Sequence, residues 1–310
     1  MPHLAVTMPA RPYILVVNGR KVRQPVFVIG APHSGADLLG RALKQSAGFH
    51  LTIGQRSVQS VVHAFARSPS IQRGRGEAAV TVLRDAFAQA WQVTAHGCLE
   101  CSPLCREAGR VNGTGSCIAE RDITRYGDAS PDLMYCAETL VEAFADARLV
   151  QLIRDGRDVV AAMLADTGTA AWFRRGAPGP AADVPNPLLG IETEAELAAW
   201  PELSLAGKCA MRWRGSVRKM ARLRTSMDAE QLTTLRYEQL IRHPETSASA
   251  VTAFIGAELH PAQLRAPRRG PAGQSQSVEA GGWRRALTTA QLTEVEQVAG
   301  QDLRRVGYGG

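Results

Sequence analysis

Three short apolar runs along the chain have the composition of buried strands. They cover residues 26–30 (VFVIG), 148–153 (RLVQLI) and 232–237 (LTTLRY). Runs of this length that are bounded by polar or turn-forming residues are typical of strands covered on both faces, as in a parallel sheet. We therefore predict three buried strands.

Other segments carry apolar residues at every third or fourth position, which predicts amphipathic helices. In the segment 77–93, for example, Val80, Leu83, Phe87 and Ala90 fall on one helical face. Because strands and helices follow one another in turn, we predict an α/β fold, a P-loop-like parallel sheet flanked by helices on both faces. Helices are predicted over residues 38–47, 57–67, 77–93, 130–144, 158–166, 203–226, 244–257 and 288–305.

Segments without either period connect these elements. The pair Asn18-Gly19 between two strand-like runs predicts a type I′ turn in a β-hairpin over about residues 13–24. Residues 94–127 are predicted to be irregular, with a cysteine-rich insert over about residues 94–120. Long Gly/Pro-rich loops are predicted over residues 168–190 and 261–282. No repeat or linker divides the sequence, so we predict a single domain over residues 1–310.

Charge and composition narrow the class of partner. The chain has 310 residues, with 36 Lys and Arg against 29 Asp and Glu, and its net charge of +7 is dispersed. A dispersed excess suits a small anionic ligand and does not favour a nucleic-acid partner. Neither an apolar run of about 18 residues nor a signal-peptide pattern occurs, so we expect a cytoplasmic protein with no membrane partner.

The segment GAPHSGADLL (residues 30–39) joins the first predicted buried strand to the first predicted helix. Such a loop commonly holds a phosphate, because the helix N-terminus offers unpaired N–H groups and the positive end of a dipole. Gly30 and Gly35 match the glycines of the triphosphatase motif GxxxxGK[ST]. Ala36 and Asp37 stand where that motif has Lys and Ser or Thr, so a nucleoside triphosphatase is not expected.

Four motifs instead resemble those of the sulfotransferase family, in the same order. The loop GAPHSGADLLGRAL resembles the family's 5′-phosphosulfate loop, and residues 127–163 (GDASPDLMYCAETLVEAFADARLVQLIRDGRDVVAAM) resemble its 3′-phosphate segment. Residues 235–245 (LRYEQLIRHPE) and 281–288 (GGWRRALT) are similar to two later motifs. The resemblance implies the sulfotransferase fold and a site for the donor 3′-phosphoadenosine 5′-phosphosulfate (PAPS) or its product 3′,5′-diphosphoadenosine (PAP).

The resemblance also implies where the donor site lies in this sequence. The family's loop cation falls at His33, its two threonines at Ala36 and Asp37, and its 3′-phosphate Arg and Ser at Arg154 and Ala162. Only the arginine of these five is retained. The implied donor-binding residues are Gly30, Pro32, His33, Ser34, Gly35, Ala36, Asp37, Arg154, Ala162, Tyr237, Trp283 and Arg284.

Two residues are implied as catalytic candidates, His33 at the loop cation and Gln55 near the place of a general-base glutamate. An amide cannot take a proton near neutral pH, so His50 and His63 are kept as alternative bases. Many members of the family have a lysine just before a (Ser/Thr)-Pro pair, and that position is Ala129 in this sequence.

Two further residues follow the 3′-phosphate arginine in the same motif. Arg157 and Asp158 match its second Arg-Asp pair. They either belong to the donor motif or form a structural ion pair at a helix start.

Four of the six cysteines are concentrated in the insert, at Cys98, Cys101, Cys105 and Cys117. A CxxC pair with two further cysteines in a Gly-rich segment indicates a zinc site with His96 as a substitute ligand, although Cys105 follows Cys101 by four and departs from the standard two-pair spacing. The alternative is packing of small buried residues. An irregular segment of about 30 residues with little apolar content needs another source of stability, which favours the metal.

Two functions are compatible with these features. The first is a sulfotransferase-like protein of bacterial secondary-metabolite biosynthesis, whose degraded PAPS site makes it a partner or helper of an active homologous sulfotransferase. The second is an active PAPS-dependent sulfotransferase that sulfates a hydroxyl or amine of a small molecule. A cleft that has been recruited for another ligand is a third hypothesis, and a homo-oligomer is the alternative assembly.

Overall fold

The computed structural model describes residues 14–73, 76–113, 115–130, 132–169, 173, 182–265 and 279–309. The strands are β1 Val16–Val17, β2 Arg20–Lys21, β3 Val26–Gly30, β4 Phe49–Thr52, β5 Val93–Thr94, β6 Gly97–Cys98, β7 Arg125–Asp128, β8 Arg148–Ile153 and β9 Leu232–Arg236. The helices are α1 Ala36–Lys44, α2 Arg56–Arg67, α3 Ser70–Arg73, α4 Gly76–Ala90, α5 Pro103–Ala108, α6 Ala137–Ala143, α7 Gly156–Ala165, α8 Glu194–Ala199, α9 Leu205–Ser226, α10 Tyr237–Arg242, α11 Pro244–Ile255, α12 Pro261–Leu264, α13 Trp283–Ala286 and α14 Thr289–Arg305.

A five-stranded parallel sheet forms the centre of the fold, with the strand order β4-β7-β3-β8-β9. The pairing of β3 with β8 runs from Val26 opposite Arg148 to Gly30 opposite Leu152. The predicted α/β fold with a parallel sheet is therefore confirmed. None of the described helices is long and apolar enough to cross a bilayer.

The buried strand β3 shows why helices cover both faces of this sheet. Its side chains alternate between two apolar clusters, with Val26 and Val28 in one and Phe27 and Ile29 in the other. A strand places successive side chains on opposite faces, so an unbroken apolar run needs a helical layer on each side.

Two of the five central strands, β4 and β7, were not predicted. Each is four residues long, and β7 contains Gly127 and Asp128, which are residue types that strands disfavour. They are strands because β4 pairs with β7 and β7 pairs with β3. The prediction that residues 94–127 are irregular was therefore wrong for the end of that segment.

The helix predicted over residues 130–144 begins later than expected. A 3₁₀ segment covers Leu133–Cys136, and α6 starts only at Ala137. Asp132 has a left-handed backbone, with φ of 63°, and its carboxylate is bound by Arg212 at 2.6 Å. A tertiary ion pair thus holds this residue in a conformation that a regular helix cannot include.

The segments outside the central sheet carry short elements of their own. Asn18 and Gly19 lie between β1 and β2 and both have positive φ, as a type I′ turn requires. The insert contains the pair β5–β6 and the helix α5, where an irregular segment was predicted. Residues 170–172 and 174–181 of the loop predicted over 168–190, and residues 266–278 of that predicted over 261–282, lie outside the described residues. The single-domain organisation stays a prediction.

Candidate functional site

The loop between β3 and α1 is shaped by two glycines. Gly35 has φ of 100° and caps α1, and a Cβ at this position would overlap the ring of Tyr237. A Cβ on Gly30 would overlap the hydroxyl of Ser34 and the carbonyl of Leu152. The loop therefore needs glycine at both ends, and the N-terminus of α1 directs its unpaired N–H groups to the carboxyl edge of the sheet.

Arg154 follows β8 at the same edge and reaches this loop. Its Nη1 donates to the carbonyl of His33 at 3.0 Å, and its Nη2 donates to the carbonyl of Glu279 at 3.2 Å. The guanidinium also lies 4.3 Å from the centroid of the Tyr237 ring. Arg154 is buried, and its two hydrogen bonds connect the loop after β3 to the chain just before α13.

His33, the residue at the expected loop cation, faces an acid. It has a left-handed backbone with φ of 60°, and its Nε2 lies 3.6 Å from Asp166 Oδ2. Hydrogen bonding from His33 lowers the pKa of the Asp166 carboxyl to about 2. A carboxylate therefore partners the imidazole and offsets the charge that a protonated His33 would offer to an anion.

The residues present fit the PAPS phosphates only in part. The buried Ser34 Oγ and Arg154 Nε have no hydrogen-bond partner among the described residues, which suits an anionic group. Ala36 and Ala162 offer no hydroxyl, and Asp37 adds a carboxylate in the first turn of α1. The backbone cradle is therefore retained, while the side chains supply little of the charge complementarity that two anionic ends need.

Arg157 and Asp158 lie at the start of α7 and have separate partners. Arg157 donates to both carboxylate oxygens of Asp155, at 3.0 and 2.9 Å. Asp158 accepts from the N–H groups of Gly281 and Trp283, at 2.7 and 2.9 Å. The pair therefore organises the helix start and the later motif GGWRRALT.

The ring of Trp283 is in contact with two cations. The guanidinium carbons of Arg157 and Arg284 lie 4.2 and 4.4 Å from its ring centroid. The Trp283 side chain is buried, and its Nε1 has no partner among the described residues. Its face is therefore occupied by arginine side chains of this chain.

The base candidates occupy different surroundings. The buried Gln55 accepts from the Ser102 N–H at 3.0 Å and donates to Cys105 Sγ at 3.6 Å. His50 is 1% exposed, and burial lowers its pKa to about 4. Both side chains are thus integrated into the protein interior.

His63 is the more accessible histidine of the two alternatives. Its Nε2 lies 3.7 Å from Asp132 Oδ2, and it lines a pocket of about 540 Å³ together with Gln55. Although burial opposes ionisation, Arg212 and His63 hold the pKa of Asp132 below its usual value. A histidine partnered by a carboxylate has the arrangement of a general base.

Asp128 is a buried acid that the sequence did not single out. It accepts from Thr52 Oγ1 at 2.5 Å and from the Ser130 N–H at 2.7 Å. Desolvation raises its pKa to about 7.

Ala129, where many family members have a lysine, packs closely against Gly40 of α1, so that a Cβ on the glycine would overlap it. The side chain of Ala129 is therefore part of the protein core.

Three cysteines of the insert converge in space. The sulfur atoms of Cys98, Cys101 and Cys117 all lie within 4.8 Å of one another. Hydrogen bonding with Cys101 lowers the pKa of Cys98 and that of Cys117. The buried Cys105 lies in the apolar cluster against which Cys101 and Cys117 pack. Three of the four predicted cysteines therefore converge at their sulfur atoms, and the fourth lies nearby.

Comparison with solved structures finds sulfotransferases at low sequence identity. The sulfotransferase domain of the olefin synthase of Synechococcus PCC 7002 is 15% identical over 90% of this chain and 94% of that chain, with a TM-score of 0.47. Sulfotransferase STF9 from Mycobacterium avium is 12% identical over 92% of this chain and 77% of that chain, with a TM-score of 0.44. Mouse sulfotransferase SULT7A1, complexed with PAP, is 14% identical over 91% and 84%, with a TM-score of 0.41.

A search among curated proteins finds no match. The match that reaches across the sequence is to the model of the sulfotransferase family, over residues 25–184 and 191–261. These residues span well over half of the chain and include β3 with its loop, β8 with Arg154, and β9 with Tyr237. The retained backbone cradle and this extended match lead to one conclusion: the chain belongs to the sulfotransferase family.

Proposed function

We propose that this family member is a non-catalytic partner of an active sulfotransferase in small-molecule biosynthesis, with a donor cleft that no longer binds PAPS tightly. The observation that supports it best is the use of Arg154. Both terminal nitrogens of this one retained phosphate-binding side chain donate to backbone carbonyls, at His33 and Glu279. The arginine then serves the fold of the cleft, and a 3′-phosphate would compete with those carbonyls for it.

The charge of Asp37 adds a second obstacle to an anionic donor. At about 5 Å from a phosphosulfate oxygen and an effective dielectric constant of about 20, a carboxylate repels it by about 3 kcal/mol. Each hydrogen bond to a charged oxygen that Ala36 and Ala162 do not make is worth about 1.5–3 kcal/mol. The sum is an upper bound because such terms overlap, and half of it turns a micromolar site into a millimolar one.

Calorimetry with PAP tests this proposal. We expect no binding heat at about 100 μM PAP, where a site with a micromolar dissociation constant is saturated. Restoring the family's residues by His33→Arg, Ala36→Thr, Asp37→Thr and Ala162→Ser should give measurable binding, with Asp37→Thr as the largest single step. Asp122→Thr, which removes an exposed carboxylate elsewhere, is the control and should not bind PAP. Micromolar binding by the unaltered protein would overturn the partner role.

An active PAPS-dependent sulfotransferase is the second candidate, and two observations favour it. Ser34 Oγ and Arg154 Nε, which have no hydrogen-bond partner in the described part of the chain, are polar atoms that an anion would satisfy. The His63–Asp132 pair in the neighbouring pocket suits deprotonation of an acceptor hydroxyl or amine. If PAP binds, His63→Asn should abolish sulfation of an acceptor and leave PAP affinity unchanged.

A further inference from the structure

The cysteine cluster of the insert has the dimensions of a metal site. Cys101 Sγ and Cys117 Sγ are 3.5 Å apart, and Cys98 Sγ lies within 4.8 Å of both. Sulfur atoms at the corners of a tetrahedron around zinc, with bonds of about 2.3 Å, are about 3.8 Å apart. The three sulfurs therefore already stand close to the separation that one zinc ion imposes.

Cys105, the remaining cysteine of the insert, is the candidate for the fourth corner. This buried thiol lies in the apolar cluster against which Cys101 and Cys117 pack, and it receives the Gln55 amide at 3.6 Å. The Cys117 N–H points at Cys98 Sγ at 3.4 Å. Such N–H groups orient sulfur ligands from outside a metal site and stabilise their charge.

The buried Lys44 independently indicates that the cysteine cluster carries negative charge. Its side chain is buried, and its Nζ donates to the Leu51 carbonyl at 2.7 Å. Among the described residues no carboxylate lies within ion-pair distance of Lys44, and the ionisable side chains that act on it are those of Cys105, Cys117 and Cys98. A buried ammonium without an anionic partner is strongly unfavourable.

We propose that Cys98, Cys101, Cys105 and Cys117 bind one structural zinc ion whose negative charge is balanced in part by Lys44. Four thiolates and Zn²⁺ carry a net charge of −2, and binding releases the thiol protons. Four protein ligands close the coordination sphere, as in structural rather than catalytic zinc sites. The zinc site does not depend on whether the donor cleft binds PAPS.

The zinc ion stabilises one wall of the pocket that contains His63. Cys101 and Ser102 line the pocket of about 540 Å³ that also contains Gln55 and His63. The helix α5 is tied to the loop after β4 by contacts of Ser102 and Gln55, such as the bond from the Ser102 hydroxyl to the Ile53 carbonyl. A metal bound to the residues on both sides of α5 fixes that wall of the pocket.

Metal analysis of the full chain tests the proposal. Protein purified without chelator should contain about one zinc per chain, and cobalt added to stripped protein should give the visible absorption of tetrahedral thiolate coordination. Cys101→Ser and Cys117→Ser should each lose the metal. Cys136→Ser, at a buried cysteine outside the cluster, is the matched control and should keep it. Less than about a tenth of a zinc ion per chain, with no zinc taken up by stripped protein, would overturn the site.

A measurement on the unaltered protein covers the case in which a variant does not fold. A zinc chelator should make four cysteine thiols reactive that are protected in the metal-loaded protein. Intact mass should show no loss of two hydrogens, since a Cys101–Cys117 disulfide is the competing arrangement. A disulfide mass, or thiol reactivity that the chelator does not change, would contradict zinc binding.

Discussion

The guanidinium of Arg154 lies 4.3 Å from the centroid of the Tyr237 ring, and the same ring fills the space over Gly35. The loop after β3 is thus packed against a side chain from α10 and held by an arginine that follows β8. Residues that follow three separate strands thus meet at the carboxyl edge of the sheet. Open α/β sheets usually bind ligands at this edge.

Replacing Arg154 by methionine separates its structural role from ligand binding. We expect Arg154→Met to lower the free energy of unfolding by about 2–4 kcal/mol, because two buried hydrogen bonds of a charged group are lost and the apolar stem is kept. Urea unfolding measures it, with the exposed Arg242→Met as the control that changes little. A stable Arg154→Met protein that had lost PAP binding would show that Arg154 is reserved for the ligand.

Gly35 should not tolerate a side chain. Gly35→Ala places a Cβ both at φ of 100° and against the Tyr237 ring. Gly113→Ala, at φ of 87° with open space around it, shares only the backbone strain. We expect Gly35→Ala to cost at least about 2 kcal/mol more than Gly113→Ala in thermal unfolding, because overlap in a packed site adds to the strain. Equal losses would mean that the loop can move away from Tyr237.

Asp128 should make the stability fall with rising pH. Burial favours the neutral carboxyl and raises its pKa from the ordinary 3.8 to about 7 in the folded protein. This contribution is fully present below the lower value and is lost as the pH rises to the higher one, by on the order of 4 kcal/mol. Asp128→Asn should therefore be more stable than the unaltered protein at pH 8 but not at pH 4.

The neutral amide also fits the hydrogen bonds at this position. Its NH₂ can donate to Thr52 Oγ1, which lies 3.2 Å from the Gly127 carbonyl and can donate to it. Melting temperatures across this pH range, with the exposed Asp122→Asn as control, measure the effect. Parallel pH profiles for Asp128→Asn and the unaltered protein would show that the carboxyl is not protonated in the fold.

The partner role predicts a complex. Co-expression with the cognate active sulfotransferase should give one hetero-complex on gel filtration, because a partner that catalyses no reaction acts only through an interface. A second copy of this chain in place of the enzyme is the control for self-association. Two separate monomer peaks at about micromolar concentration would contradict an interaction of useful affinity.

The sequence alone determined the features that depend on local pattern. The apolar runs identified β3, β8 and β9, and the helical period identified long helices such as α9. The spacing of apolar residues shows whether one face or both faces of an element are buried. The motifs around Gly30, Arg154 and Tyr237 identified the family. The changed residues at His33, Ala36, Asp37 and Ala162 could likewise be read directly, because motif positions need no coordinates.

Only the tertiary structure decided what depends on pairing and approach. β4 and β7 are strands because of their neighbours in the sheet, and Asp132 leaves the helix because Arg212 binds its carboxylate. The carbonyl partners of Arg154, the burial of Asp128 and the position of Lys44 beside the cysteines arise between residues far apart in the chain. Sequence spacing carries no information on such contacts, since they form only when the strands and helices pack.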